Sequence, residues 1–175
     1  MRLGCACGQL LSNSLCPNEI EYDLYTEQEW KHIATLGVVD VAVGIPRPYL
    51  SAWLCPDCKR IYIFESGNLR AIRRYTLEAS ERKTLFRSDE ISEEQEFPME
   101  KDCVCGRILS DRQDSPALYR VYGDEDWEKI TVIEMDAAEF PRPLLYAWYC
   151  SYCQRIYVFE RANPKIFSRY CIEDI

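Results

Sequence analysis

The sequence has little of what most enzymes use. His32 is the only histidine among 175 residues, and neither a glycine-rich phosphate-binding loop nor a nucleophile-elbow motif is present. No apolar run approaches the length of a membrane span, and none of export-signal length stands at the N-terminus. We therefore expect a non-enzymatic protein that works in the cytoplasm and has no membrane partner.

Positive charge is also scarce, and the formal net charge is −8. Residues 1–77 balance eight basic against eight acidic side chains, whereas residues 78–102 carry four basic and nine acidic ones. An acidic protein is repelled by phosphate backbones, so nucleic-acid binding is disfavoured. It stays an alternative only through a local basic spot formed by Arg70, Arg73 and Arg74.

Cysteine, by contrast, is abundant: of ten cysteines, eight stand in four close pairs. Without an export signal, such pairs favour metal binding over disulfides or buried thiols, which stay as the alternatives. Tetrahedral zinc takes four sulfurs at about 2.3 Å, and two local pairs from distant segments complete one shell. The predicted ligands are Cys5, Cys7, Cys55 and Cys58 in site one, and Cys103, Cys105, Cys150 and Cys153 in site two.

We therefore predict two Zn²⁺ ions per chain. Each would sit in a closed shell of four thiolates, which points to a structural rather than a catalytic role. All-thiolate shells also hold iron, so a rubredoxin-like electron carrier is a less favoured alternative. Cys16 and Cys171 fall outside both sets, and we interpret them as ordinary small residues that are buried or half-buried.

The chain repeats itself. A Cys-x-Cys-Gly block at residues 4–12 matches residues 102–110, and a longer block at residues 46–65 matches residues 141–160 with an offset of 95. The repeat predicts two copies of one domain, at residues 1–77 and 102–175, joined by an acidic linker at residues 78–101. The alternative for the linker is that Leu85 and Phe86 pin it onto a domain or a partner.

Each copy is predicted to contain one helix and a few strands. Residues 26–29 form a capping-box pattern that opens a helix over about residues 27–36, ended by Gly37, with a counterpart at about residues 125–135. Alternating apolar residues predict strands at about residues 52–54, 60–65 and 69–77. The expected fold class is α+β, small and β-rich: two tandem zinc-ribbon-like domains, each an antiparallel sheet with one short helix and a four-cysteine metal site.

These cysteine turns resemble those of zinc-ribbon and rubredoxin-like domains, although the first pair here is Cys-x-Cys-Gly rather than Cys-x-x-Cys-Gly. Both copies, without the linker, are also similar to small uncharacterised bacterial zinc-binding proteins. Those combine Cys-x-Cys-Gly, a Trp-bearing helix and a Trp-x-Cys-Pro-x-Cys-x-Arg segment. The resemblance implies a small β-rich metal fold and no particular activity, because zinc ribbons serve many functions.

Two pairs of arginines recur in both copies. Arg47 and Arg142 stand in rigid Pro-Arg-Pro segments, so we predict that they are recognition groups, with a structural salt bridge as the alternative. Arg60 and Arg155 closely follow the second cysteine pair and are predicted to support the thiolate charge.

The recurring aromatic residues, Tyr62 and Tyr157 among them, are predicted to form two separate cores. The function expected from all this is a zinc-binding module that interacts with another protein or regulates it. The alternatives are an acidic inhibitor or immunity-type protein that neutralises a basic enzyme, a nucleic-acid-binding zinc ribbon, and an iron electron carrier.

Overall fold

The computed structural model describes residues 1–14, 18–40, 44–66, 68, 70–82, 100–110, 118–128, 130 and 134–173. In the N-terminal half the elements are β1 (Arg2–Gly4), β2 (Leu10–Ser12), β3 (Glu21–Thr26), α1 (Glu27–Ile33), β4 (Val38–Asp40), β5 (Leu50–Leu54), β6 (Ile61–Glu65) and β7 (Ala71–Arg82). In the C-terminal half they are β8 (Glu100–Asp102), β9 (Ile108–Ser110), β10 (Leu118–Gly123), α2 (Asp124–Glu128), β11 (Glu134–Asp136), a 3₁₀ turn (Ala137–Glu139), β12 (Leu145–Tyr149), β13 (Ile156–Glu160) and β14 (Asn163–Glu173).

The two halves build one closed antiparallel β-barrel in the order β10-β12-β13-β14-β7-β6-β5-β3. The prediction of two zinc-ribbon-like domains, each with its own sheet, is therefore wrong. A sheet made by one half alone would leave β3 and β7 as unpaired edges. Each half instead pairs these edges with the other half, β3 with β10 and β7 with β14, and closure leaves no edge.

Equivalent residues of the two halves meet at both seams. Leu24 lies opposite Val121 between β3 and β10, and Thr76 lies opposite Cys171 between β7 and β14. Corresponding positions can face each other in this way only if an approximate two-fold axis passes through both seams. Such an axis exchanges the two ends of the barrel, so equivalent features of the halves lie at opposite ends.

The barrel strands are buried on both faces, as the four consecutive buried residues Ile61–Phe64 of β6 illustrate. Inward-facing side chains such as Ala52, Ile63 and Tyr75 form the interior cluster. Outward-facing ones such as Trp53 pack beneath a separate two-stranded hairpin, β1–β2 in the N-terminal half and β8–β9 in the C-terminal half. Burial on both faces explains why consecutive residues of β6, and not only every second one, are apolar.

A shared aromatic cluster lies outside the seam between β3 and β10. Trp30 of α1 stacks on Tyr122 of β10 with 4.8 Å between ring centroids, and Trp127 stacks on the same tyrosine at 4.8 Å. The prediction of two separate aromatic cores is therefore wrong for these residues, because rings from both halves form one cluster. Strands β4 and β11 pair beside it.

Helix α1 begins as its capping box predicts. Thr26 Oγ1 accepts a hydrogen bond from the Glu29 backbone N–H at 3.1 Å, and the Thr26 N–H donates to the Glu29 carboxylate at 2.7 Å. Both helices end earlier than predicted, α1 at Ile33 and α2 at Glu128. Within the described part of the chain, no helix has the length and apolar character needed to cross a bilayer.

Candidate metal sites

Each group of four cysteines joins a peripheral hairpin to the barrel wall. In the N-terminal half, Cys5 and Cys7 lie in the turn between β1 and β2, and Cys55 and Cys58 lie in the turn between β5 and β6. Beside the sulfurs, Leu11 of the hairpin packs with the outward side chains of these barrel strands. A metal ion here would link the turn of the hairpin to the barrel wall, next to the small apolar contact that Leu11 makes.

The four sulfurs of site one lie close together. Cys7 Sγ is 3.3 Å from Cys5 Sγ and 3.7 Å from Cys55 Sγ, and Cys5 Sγ is 3.5 Å from Cys58 Sγ. All four ligand atoms lie within 4.8 Å of one another. The predicted set is thus brought together from two segments that are distant in the sequence.

Site two repeats this geometry. Cys105 Sγ lies 3.3 Å from Cys103 Sγ and 3.8 Å from Cys150 Sγ, and Cys103 Sγ lies 3.4 Å from Cys153 Sγ. The corresponding distances in the two sites agree to within 0.1 Å. Since the two-fold relation exchanges the barrel ends, the two sites lie at opposite ends of the barrel.

These separations fit a tetrahedral metal site. Four sulfurs at about 2.3 Å from a central ion lie about 3.8 Å from one another, whereas a disulfide holds its sulfurs at about 2.05 Å. The observed distances of 3.3–3.8 Å match the first arrangement, and all nine cysteines of the described residues are free thiols. Both groups could therefore hold a metal ion, and the disulfide alternative fails for these eight residues.

The turns that carry the cysteines are built alike in both halves. Gly8 and Gly106 have φ angles of 96° and 86°, a left-handed region that glycine enters without a steric penalty. Lys59 and Gln154, each directly after a second cysteine pair, have φ angles of 58° and 54°. Non-glycine residues seldom adopt this conformation, so its presence in both turns indicates that the ligand geometry requires it.

A buried tyrosine contacts the first cysteine of each site. Tyr62 donates its hydroxyl to Cys5 Sγ at 3.2 Å and accepts the Ala6 N–H at 3.0 Å. Tyr157 stands at 3.2 Å from Cys103 Sγ and accepts the Val104 N–H at 3.1 Å. These phenols were predicted only as core residues. The sequence signal for this contact was missed: in both halves the tyrosine follows the Cys-x-x-Cys pair at the same spacing.

Arg60 and Arg155, the arginines predicted to support the thiolate charge, act on the last cysteine of each site. Burial opposes the charge on the Cys58 thiol, but hydrogen bonds from the Arg60 backbone and guanidinium outweigh it and lower the pKa of Cys58 to about 6. At Cys153 burial is likewise outweighed, here first by the Arg155 guanidinium, and the pKa falls to about 7. The loss of the thiol proton, which a metal ion requires of its ligands, is thus made easier at one cysteine of each set.

The same arginines also reach across the seam between the halves. Arg60 donates to Glu173 at 3.2 Å, and Arg74 lies 2.7 Å from the same carboxylate. In the other half, Arg155 and Arg169 both pair with Glu78, at 2.8 Å and 3.0 Å. These are the equivalent set, with each glutamate supplied by the opposite half.

We call these two sets the crossed clamps, Arg60–Glu173–Arg74 and Arg155–Glu78–Arg169. Each connects the cysteine site of one half to the last barrel strand of the other half, which is β14 for the first clamp and β7 for the second. Glu78 falls in the segment predicted as the linker, but β7 continues to Arg82. The last two residues of the predicted linker, 100 and 101, belong to β8. Residues 83–99, with Leu85 and Phe86, lie outside the described residues, as does Cys16.

The remaining predicted residues lie away from the sulfur clusters. Arg47 and Arg142 are exposed, each on the loop that precedes a barrel strand. His32 is exposed on α1, and Cys171 is a half-buried free thiol of β14. The basic spot predicted from the sequence does not form: among its members Arg70 is exposed, Arg73 lines the barrel interior and Arg74 belongs to a crossed clamp.

The chain matches a family described as a domain of unknown function (DUF8617) over residues 1–90 and again over residues 100–174. These two segments cover most of the sequence, so the chain belongs to this family. No curated protein and no solved structure matches it. No zinc-ribbon family matches either, which agrees with the barrel in place of the ribbon fold that the cysteine turns resemble.

Proposed function

We propose that this member of the DUF8617 family is a non-enzymatic zinc protein, in which two structural Zn²⁺ ions fix a barrel that binds another protein. The observation that carries the proposal is the closed shell of each site, in which four cysteine sulfurs of the chain lie within 4.8 Å of one another. A catalytic zinc keeps one position open for water or substrate, and a shell of four thiolates leaves none.

Zinc is proposed over iron because of where the sites lie. Each one fastens a peripheral hairpin to the barrel, and that role needs no change of oxidation state. A hairpin of two three-residue strands, such as β1 and β2, is too small to be stable alone. The free energy of metal binding would hold it in place.

The proposed recognition groups are the arginines of the two Pro-Arg-Pro loops. Tyr25 donates its hydroxyl to the Pro46 carbonyl at 3.1 Å, and Tyr122 donates to the Pro141 carbonyl at 3.0 Å. These bonds hold both loops rigid, so Arg47 and Arg142 are presented at a small entropic cost. Each loop also carries an exposed apolar residue, Tyr49 at 61% and Leu144 at 41% exposure.

An arginine beside an exposed aromatic or apolar side chain is the combination that protein interfaces favour. The two loops are equivalent, so one partner could bind to both of them. Two linked contacts bind more tightly than either one alone. We therefore propose a protein partner that contacts both loops.

This proposal is tested by affinity capture from the native cell extract, comparing the wild-type protein with the double variant Arg47→Ala/Arg142→Ala. We expect a protein captured by the wild type to be lost with the double variant, by at least about tenfold. Arg70→Ala, which removes another exposed arginine, is the matched control and should capture as the wild type does. Equal capture by all three would rule out the loops as the binding site.

A second candidate, the acidic inhibitor of a basic enzyme, is favoured by one groove of about 840 Å³ on the surface. Among the described residues, its lining includes the exposed carboxylates Glu19, Glu125, Glu128 and Glu160, against one lysine, Lys59. A basic partner steered by this groove would associate more slowly as salt is added. Salt-independent association would reject this candidate and leave the loops as the proposed site.

A further inference from the structure

The interior of the barrel is not completely filled. It contains a cavity of about 90 Å³, roughly the volume of three molecules of liquid water. Inward-facing residues from all eight strands line it, and most are aliphatic, such as Leu24, Ile63 and Val121. A cavity with so apolar a wall offers water few partners and suits an apolar group.

One charged side chain, Arg73 of β7, is part of this lining. Its Cζ lies 5.5 Å from the centroid of the Tyr149 ring, and its positive charge counteracts part of the burial effect that raises the pKa of Tyr75. Within the described residues, no ion pair joins Arg73 to a carboxylate. A half-buried arginine that is not neutralised by one of these carboxylates is able to pair with an anion from outside.

The barrel itself does not need this arginine. At the same offset of 95, the other half has Ser168 in place of Arg73 and Leu54 in place of Tyr149. The two positions that follow keep their identity, since Arg74 is matched by Arg169 and Tyr75 by Tyr170. Among the described residues, charge therefore lies at one end of the cavity only, so the two-fold relation is broken at that end.

We propose that the barrel interior binds a small amphipathic anion, a short-chain carboxylate. Its tail would fill the apolar cavity, and its carboxylate would pair with the Arg73 guanidinium. A guanidinium can donate two parallel hydrogen bonds to the two oxygens of a carboxylate. The cavity volume limits the tail to a few carbon atoms. Arg73, Tyr119 and Tyr149 are each only half-buried, so solvent and a ligand can reach this end of the lining.

The test is a titration of the full-length, metal-loaded protein with sodium butyrate, followed by heteronuclear NMR shifts of the barrel amides. We expect saturable shifts at the inward-facing strands, and at least about tenfold weaker binding of 1-butanol and butylammonium, because these lack the anion that Arg73 would hold. Equal affinity for all three compounds, or no saturable shift with butyrate, would overturn the proposal.

Variants separate the ligand site from the fold. Arg73→Ser copies the residue of the other half and should weaken butyrate binding by at least about tenfold, whereas Arg70→Ser removes the same charge from an exposed position and should not change it. Ala52→Leu should fill the cavity and abolish binding while Arg73 is still present. Unchanged butyrate affinity in Arg73→Ser or in Ala52→Leu would contradict the proposed site.

Discussion

Replacing Cys55 with serine should remove one metal ion and release the N-terminal hairpin. Cys55 is completely buried and belongs to the sulfur cluster of site one. A structural zinc site provides apparent binding free energy of the order of 10 kcal/mol, which counts toward folding. We expect the free energy of unfolding to fall by more than about 5 kcal/mol, an amount comparable to the whole stability of many domains. Elemental analysis and thermal unfolding would measure both effects.

The matched control for this change is Cys171→Ser. It removes the same thiol from β14, at a residue that belongs to neither sulfur cluster. We expect it to keep the full metal content and to change the free energy of unfolding by less than about 1 kcal/mol. If Cys55→Ser retained as much metal as Cys171→Ser, the four-sulfur site would be refuted.

Replacing Trp30 with alanine should destabilise both halves of the chain together. Trp30 is 6% exposed, stacks on Tyr122 from the other half, and has the Arg120 guanidinium 5.2 Å from its ring centroid. Removing a buried tryptophan leaves a large cavity and costs about 3–5 kcal/mol. Because the barrel is shared, we expect one cooperative transition in denaturant at a lower midpoint, with the same midpoint for probes in either half.

Tyr49→Ala is the control for the loss of an aromatic ring. Tyr49 is 61% exposed, so its removal should cost no more than about 0.5 kcal/mol. Two separate transitions in Trp30→Ala, with the C-terminal half as stable as in the wild type, would mean that the halves fold independently and that the shared barrel is wrong.

The sequence was sufficient to find the cysteine clusters because metal ligation leaves a rigid local signature. Two cysteines as close in sequence as Cys55 and Cys58 must lie in one turn. Their recurrence as Cys150 and Cys153 shows that the chain has two equivalent groups of cysteines, and this can be seen without any knowledge of the fold. The capping box at Thr26 was predictable for the same reason, since its hydrogen bonds join residues three apart.

The barrel could not be predicted in this way. A strand pattern specifies which residues extend but not which edges will pair, and the β3–β10 and β7–β14 pairings join segments about a hundred residues apart. The repeat itself favoured two independent domains. It is equally compatible with two halves that complete each other, and the choice depends on edges that only the folded chain brings together.

The crossed clamps were missed for a related reason. Glu78 and Glu173 occur at the same offset of 95 as their arginines, so the signal existed. Glu78, however, lies in an acidic stretch that was predicted to be a linker, and nothing in the sequence distinguishes it from the other carboxylates there. The role of Glu78 depends on the pairing of β7 with β14, which places its carboxylate at the seam.

The clamps also give the two four-cysteine groups a physical connection to the rest of the barrel. Arg60 lowers the pKa of the Cys58 thiol and donates a hydrogen bond to Glu173 of the opposite half. An arginine that stabilises a thiolate and pairs with a carboxylate at the seam would couple any metal ligation to the pairing of β7 with β14. Metal loading would then stabilise the seam as well as the hairpin.

The most direct test of this account is elemental analysis of the purified protein as it is obtained from cells. The two equivalent four-sulfur groups predict two zinc ions per chain, a colourless solution and no bound iron. A content of one ion per chain, of none, or of iron in place of zinc would contradict the claim that two structural zinc sites fasten the hairpins to the shared barrel.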